Sequence, residues 1–371
     1  MTKILISGGG TGGHVYPAIA IADAIRSIAP DAELLFVGAQ DKLEMERVPA
    51  AGYSIEGLPV AGFHRSLSWR NFKRNLSFPF KLAASYLRAR AIVKRFAPDI
   101  AIGTGGYASG PVLRVAQSRG IPTLIQEQNS YPGVTNRLLA ARASAICVAY
   151  PEMERFFPAE KIRFLGNPLR AQLAQADRET ALAHFGLSPQ KRTIAVLGGS
   201  LGARTLNQAM RDNVDFFEKN PDLQALWQCG KLYAEEYRNV RAAQLPQVKL
   251  LPFVERMDLL YAAADVIIAR AGALTISELC AVGKPVVLVP SPNVAADHQT
   301  HNAQALAARG AALLTSDAEA PAHMLRLAAE LLSDERRAAS MGQKLRALAR
   351  PNAAREIAAI ALNLAQQQRH A

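Results

Sequence analysis

A histidine follows a cluster of glycines near the start of the chain, in Gly8-Gly-Gly-Thr-Gly-Gly-His14. A glycine-rich turn between a strand and a helix leaves backbone amides free to hold an anion. An imidazole at a helix start is kept neutral by the positive end of the helix dipole, the state a general base requires. The bland alternative for His14 is a polar residue that merely opens a helix. The same kind of turn returns in the second half as Gly198-Gly-Ser-Leu-Gly-Ala-Arg204. Each copy follows a short apolar run and precedes a helical pattern. The repetition predicts two nucleotide-type domains facing one another, with a phosphate-bearing substrate between them.

More polar clusters stand just past apolar runs, where an α/β sheet places its ligand residues. Gly103-Thr-Gly-Gly-Tyr-Ala-Ser-Gly-Pro111 contains a second glycine turn, with Gly105, Gly106 and Tyr107 at its centre. Gln126-Glu-Gln-Asn129 follows the next apolar run. In the second half, Arg270-Ala-Gly-Ala-Leu-Thr-Ile-Ser-Glu278 puts Glu278 in the first turns of a helix. A carboxylate there can accept two hydrogen bonds from a ribose diol, or can simply complement the helix dipole. Residues 290–302 form a polar loop with amide and imidazole groups suited to sugar hydroxyls.

Gly8, Gly10 and Gly13 also match the dinucleotide-binding spacing G-x-G-x-x-G. That fold needs an acid at the end of the second strand for the ribose. Here the strand ends Phe36-Val-Gly-Ala-Gln40 and the first acid is Asp41, past the expected place. A nicotinamide-dependent oxidoreductase is therefore disfavoured.

The elements that must position these groups are those of a doubly wound α/β protein. Strand-like runs at 3–7, 33–37, 99–102, 122–125, 144–148, 193–197, 223–228, 248–251, 265–269 and 285–289 alternate with amphipathic helical patterns. The chain of 371 residues is long enough for two domains. The predicted boundary is the stretch 166–170, giving domains 1–165 and 166–349, and residues 351–371 read as one helical pattern. The three cysteines, Cys147, Cys229 and Cys280, have no metal-binding or disulfide-framework spacing, which points to a reduced, cytoplasmic setting. A start directly on a strand argues against a signal peptide. No apolar run approaches the roughly 18 residues of a membrane span.

The formal net charge is +12. Between positions 57 and 98 there is no Asp or Glu, while Arg65, Arg70, Lys73, Arg74, Lys81, Arg88, Arg90, Lys94 and Arg95 alternate with aromatic and aliphatic residues. Basic residues beside aromatics suit an interfacial membrane segment. A core-packed helix with a solvated basic face is the alternative. Nucleic acid is disfavoured, because no nucleic-acid motif accompanies the charge.

Taken together, the glycine clusters at 8–14, 103–111 and 198–204, with 127–129, 166–168, 270–278 and Asp297-His-Gln299, resemble the MurG family of bacterial glycosyltransferases along essentially the whole chain. The resemblance implies a GT-B fold, two Rossmann-like domains facing a deep cleft, with helix 350–371 packed back on the first. It implies transfer of N-acetylglucosamine from UDP-GlcNAc to the 4-hydroxyl of MurNAc in undecaprenyl-pyrophosphoryl-MurNAc-pentapeptide (lipid I), giving lipid II with inversion. No cofactor and no obligatory metal are expected. His14 is the candidate base. Thr11, Gly12, Gly13, Asn129, Arg170, Ser200, Val254, Ala273, Leu274, Thr275, Ile276, Ser277, Glu278 and Gln299 are the expected UDP-GlcNAc contacts. Among them, Glu278 would hold the ribose, the backbone at Val254 the uracil, and Arg170 the leaving diphosphate. Gly10, Gly105, Gly106 and Tyr107 would take the acceptor pyrophosphate. Segment 63–95 would hold the enzyme on the anionic cytoplasmic leaflet of the inner membrane as a peripheral protein, beside other cell-wall synthesis or division proteins. The rival readings are a nucleotide-sugar epimerase, a dinucleotide oxidoreductase and a non-catalytic membrane scaffold.

Overall fold

A computed structural model describes residues 1–60, 78–170, 173–199, 201–294 and 297–370. By packing, the chain divides into a unit of Met1–Arg170 with Arg350–Ala371 and a unit of Ala171–Ala349.

The first unit is built on a seven-stranded sheet: β1 (Lys3–Gly8), β2 (Glu33–Ala39), β3 (Ser54–Leu58), β4 (Ile100–Gly105), β5 (Thr123–Glu127), β6 (Ala145–Val148) and β7 (Ile162–Phe164). Its order is β3-β2-β1-β4-β5-β6-β7, every pair parallel. Ile4 pairs with Leu34 on one side and Ile100 on the other, so the strand order reverses beside β1. The first glycine turn leaves the carboxyl end of β1, at the switch point where such sheets bind ligands. β4 and β5 are buried from end to end, which is why their sequences read as continuous apolar runs.

Apolar layers cover both faces of this sheet. One gathers Leu5, Val37, Ala101, Ile125 and Ile146 with Ala89, Ile92 and Val93 of the helix Phe78–Phe96. The other gathers Ile4, Ile6 and Ile102 with Ile21 and Ile25 of the helix Gly12–Ile28. The helix Ala353–His370 completes that second layer with Ile357, Ala358, Ala361, Leu362 and Ala365, a spacing that puts all five on one face.

The second unit carries a six-stranded parallel sheet: β8 (Arg192–Leu197), β9 (Leu223–Gln228), β10 (Val248–Leu251), β11 (Val266–Ala269), β12 (Val286–Leu288) and β13 (Leu313–Leu314). Its order, β10-β9-β8-β11-β12-β13, reverses beside β8, so the second glycine turn also sits at a switch point. Trp227, Phe217, Tyr237 and Tyr261 are fully buried in this unit. The Trp227 indole donates to Asn207 Oδ1 at 2.9 Å.

Three strands beyond the predicted runs are present, β3, β7 and β13, each at or near a sheet edge. Residues 166–170, expected to open the second domain, pack with the first unit. The Gly166 amide donates to the Val148 carbonyl at 3.1 Å. Gly166 has φ +95, and a Cβ there would stand 2.5 Å from the Cβ of Arg350. Asn167 is bonded to Gln126 Nε2 and donates to the Gln128 carbonyl, while Arg170 stacks over Tyr16 at 5.2 Å. These contacts move the junction to between 170 and 171.

Candidate functional site

The site in the first unit begins with the two glycine turns, which touch. Gly9 N–H donates to the Gly105 carbonyl at 3.3 Å. A Cβ on Gly106 would stand 2.2 Å from the Gly9 carbonyl oxygen, and Gly106 has φ +86. Only glycine satisfies both constraints. Thr104 Oγ1 donates to the His14 carbonyl at 2.9 Å, and Ser109 Oγ to the Ser7 and Gly105 carbonyls.

His14 lies half-buried at the start of the helix Gly12–Ile28. Its Nδ1 is 3.1 Å from the Gly9 carbonyl, which can only accept, so Nδ1 carries the proton and Nε2 keeps its lone pair. Thr11 Oγ1 is 3.2 Å from the same Nδ1. Nε2 faces the second turn: a Cβ on Gly105 would be 3.1 Å from it and 2.8 Å from Cδ2. The pKa of His14 is lowered, chiefly by burial; Glu127, the Gly9 carbonyl and Glu44 pull the other way. The neutral imidazole is thus the one expected, with desolvation as its main cause where the sequence offered only the helix dipole.

Beneath the turn lies a carboxylate that sequence reading missed. Glu44, fully buried, accepts from the Gly10 amide at 2.9 Å and the Ala39 amide at 2.9 Å. A Cβ on Gly9 would come 2.0 Å from Glu44 Oε1. The Gly10 amide is therefore spent internally, which removes it from the expected pyrophosphate ligands. Nor is this acid presented to a ribose, since it faces backbone amides. The amides of Gly12 and Gly13, in the first turn of the helix, lack intrahelical acceptors by position.

Asn129 donates through its backbone and its side chain to Glu127 Oε1, at 3.0 and 3.2 Å. Glu127 also accepts from the Gly133 amide and from Asn136 Nδ2. Tyr107, at the tip of the second turn, is 54% exposed. In the helix Phe78–Phe96 the first half exposes Phe80, Leu82, Tyr86 and Leu87, while Ala89, Ile92, Val93 and Phe96 are buried. The described part of the basic aromatic stretch thus has a half with exposed apolar side chains and a core-packed half; residues 63–77 of it lie outside the described residues. Among the described residues no helix is long and apolar enough to cross a membrane.

In the second unit the turn after β8 is held by Gln228, whose Nε2 donates to the Gly199 carbonyl at 2.7 Å. Gly202 has φ +81, and a Cβ there would lie 2.1 Å from the Cys229 carbonyl oxygen. Ser200 lies outside the described residues. The helix Ala273–Val282 opens on Gly272, so the amides of Ala273, Leu274 and Thr275 stand in its first turn. Two expected contacts in that run are turned elsewhere. Ile276 is 4% exposed and its amide donates to the Gly272 carbonyl. Ser277 Oγ donates to the Ala273 carbonyl at 3.0 Å. Both serve the helix itself. Glu278 is partly exposed and accepts from the Tyr261 hydroxyl at 2.8 Å, which fixes its carboxylate. Val254 is buried, so only its backbone is available. Gln299 Oε1 accepts from the Ser291 amide at 2.9 Å, closing the loop after β12. Among the described residues no group of His, Cys, Asp or Glu is arranged to hold a metal ion.

Residues 4–148 match the glycosyltransferase family 28 N-terminal domain, and residues 193–357 match the family 28 C-terminal domain. A protein of Christiangramia forsetii named UDP-N-acetylglucosamine–N-acetylmuramyl-(pentapeptide) pyrophosphoryl-undecaprenol N-acetylglucosamine transferase is 53% identical, over 96% of this chain and 95% of its own. Its namesake in Bacteroides thetaiotaomicron is 50% identical over 99% and 98%. Among solved structures, MurG of Acinetobacter baumannii superposes with TM-score 0.74 at 29% identity, covering 98% of this chain and all of that one. A UDP-GlcNAc 2-epimerase from Neisseria meningitidis superposes with TM-score 0.70 at 12% identity, over 98% of this chain and 100% of that one, a likeness of fold alone. With two parallel doubly wound sheets and both halves matched, the chain has a GT-B fold and belongs to glycosyltransferase family 28.

Proposed function

We propose that the chain transfers N-acetylglucosamine from UDP-GlcNAc to the 4-hydroxyl of the muramyl sugar in an undecaprenyl-pyrophosphoryl-MurNAc-pentapeptide acceptor, forming lipid II. The reading rests on half identity, along almost the entire length, to relatives bearing that activity in their names. The arrangement around His14 supplies the chemistry. Nε2 takes the proton from the acceptor hydroxyl as its oxygen attacks the anomeric carbon. The bond from that carbon to the UDP oxygen breaks on the opposite face, so configuration inverts and UDP leaves with the bonding pair.

In this reading UDP is held in the second unit. The first-turn amides of Ala273, Leu274 and Thr275, with the turn at 198–202, meet the diphosphate. Glu278, fixed by Tyr261, binds the ribose hydroxyls. The backbone of Val254 reads the uracil, and Gln299 meets the sugar. Gly105, Gly106 and Tyr107 take the acceptor pyrophosphate. The exposed Phe80, Leu82 and Leu87, beside Lys81, Arg88 and Arg90, support a reading in which the protein docks on an anionic membrane surface, the cytoplasmic leaflet where such an acceptor resides.

The test is UDP release from UDP-GlcNAc with and without a lipid I analogue. Release that requires the analogue, with a disaccharide-lipid product, is expected. Release without acceptor would instead indicate an epimerase or hydrolase. Retention on vesicles containing anionic lipid, lost on replacing Phe80 and Leu87 by Ser, checks the membrane surface separately.

A further inference from the structure

Three loops of the second unit leave the carboxyl ends of its strands, and a side chain from a fourth element, Asp317, is joined to one directly through Thr205 and to the other two through Arg270. Asp317 follows β13 in a short turn. That turn is pinned at both ends: Thr315 N–H donates to the Leu288 carbonyl at 3.1 Å, and Ala320 N–H donates to the Ser316 carbonyl at 3.0 Å. Ser316 Oγ donates to Glu319 Oε2 at 2.7 Å. Asp317 therefore projects its carboxylate from a fixed base.

One oxygen, Oδ2, accepts from Thr205 Oγ1 at 2.8 Å. Thr205 is in the first turn of the helix Arg204–Asp212, immediately after the glycine turn at 198–202. The other oxygen, Oδ1, pairs with the Arg270 guanidinium at 2.5 Å. Arg270 stands between β11 and the helix Ala273–Val282, and the same nitrogen reaches the Val289 and Pro290 carbonyls at 3.1 and 3.3 Å. Those carbonyls begin the loop that Gln299 closes. The ion pair is mostly buried, with Arg270 at 13% and Asp317 at 24% side-chain exposure. A pair so shielded from water holds geometry far better than a surface pair.

We propose that Asp317 is a positioning residue for the UDP-GlcNAc site: through Thr205 and Arg270 it sets the spacing between the segments at 201–204, 270–276 and 289–291. This rests on the donor site proposed above. Asp317 need not touch the nucleotide, because its two partners lead to the loops that do. Arg270 alone cannot do this, since its carbonyl contacts link only β11 to β12. The Asp317–Thr205 bond is what brings in the glycine turn.

The experiment is UDP binding by calorimetry, together with UDP-GlcNAc and acceptor kinetics, for wild type, Thr205→Val, Thr205→Ser and Asp317→Asn. Wild type binds UDP if the donor-site reading holds; its failure to bind would overturn that reading and leave Asp317 without a role. Given wild-type binding, Thr205→Val is expected to raise the UDP Kd and the UDP-GlcNAc KM about fivefold, and Asp317→Asn about tenfold or more. The acceptor KM should stay unchanged. Thr205→Ser, which keeps the hydroxyl, should restore binding to near wild type. A Thr205→Val protein that melts like wild type and binds UDP equally well would overturn the proposal. So would a Thr205→Ser protein as weak as Thr205→Val.

Discussion

The two glycine turns of this chain leave equivalent strands at equivalent switch points, yet they rest on opposite electrostatic ground. Under the first lies the buried carboxylate of Glu44, which takes the Gly10 amide for itself. Under the second lie neutral groups, the Cys229 carbonyl against Gly202 and the Gln228 amide on Gly199. An internal carboxylate occupies the site an external anion would use and repels a phosphate placed near it. A neutral floor does neither. Both turns are strand, glycine and helix, but the first holds an imidazole against the Gly9 carbonyl, while the second rests on neutral groups, which suits the diphosphate role proposed for it. The motif fixes a backbone shape; the groups packed beneath it decide what the shape binds.

Replacing His14 by Ala should cut kcat by about 10²–10⁴, the usual contribution of a general base, with UDP affinity unchanged by calorimetry. An unaltered kcat would remove the base from the first turn and with it the contrast. Glu44→Ala strands the buried Ala39 amide and releases the part-buried Gly10 amide, and thermal denaturation should register a loss of roughly 1–3 kcal/mol for the unpaired buried group. Acceptor turnover should fall with it, while UDP still binds; a variant as stable as wild type with acceptor affinity unchanged would mean the carboxylate is not the first turn's occupant. Gly202→Ala forces a Cβ toward the Cys229 carbonyl at φ +81. About 1–3 kcal/mol of local strain corresponds to UDP binding weaker by roughly tenfold, with the acceptor KM unmoved. Equal UDP affinity would show that the second turn does not need its glycine shape.

The smallest effect concerns pH. As the base proposed above, His14 would act only when neutral, so kcat should rise with pH through its pKa, which burial lowers from the ordinary imidazole value. The Glu127 charge opposes that lowering. Glu127→Gln should therefore move the acid limb of the kcat profile to lower pH, and an acid limb displaced upward would contradict the assignment. The same shift bears on stability. The unfolded chain takes up the proton more readily than the native one, so His14 draws stability down as pH falls below its unfolded value and costs nothing above it.

Much of the frame was legible from the residues. β1, β4, β5, β8 and β11 lie inside their sheets, so helices cover both faces and the sequence is apolar without interruption. The other three escaped for the converse reason. β3 reads Ser-Ile-Glu-Gly-Leu, β7 is three residues long and partly exposed, and β13 is two residues long. A strand that short at an edge has no periodicity to read. The same limit applies to the site. His14, Glu278 and the glycines announce themselves by type and context. Glu44 does not, because nothing in an acidic helix start tells that its carboxylate folds back under a turn 34 residues away. Ile276 and Ser277 fell inside a motif read as ligand-facing along its whole length, yet Ile276 is buried and Ser277 Oγ donates back along the helix to the Ala273 carbonyl.

The helix Ala353–His370 lies in the core of the first unit against the helix Gly12–Ile28, although the whole second unit intervenes in the chain. During synthesis the ribosome makes the first sheet early but withholds one of its covering helices. Residues 171–349 can reach their final packing while Ile4, Ile21 and Ile25 still wait for Ile357 and Leu362. The half of the protein that is begun first is therefore finished last, and a chain broken off near position 350 would deliver an intact second unit and an uncovered, aggregation-prone first unit.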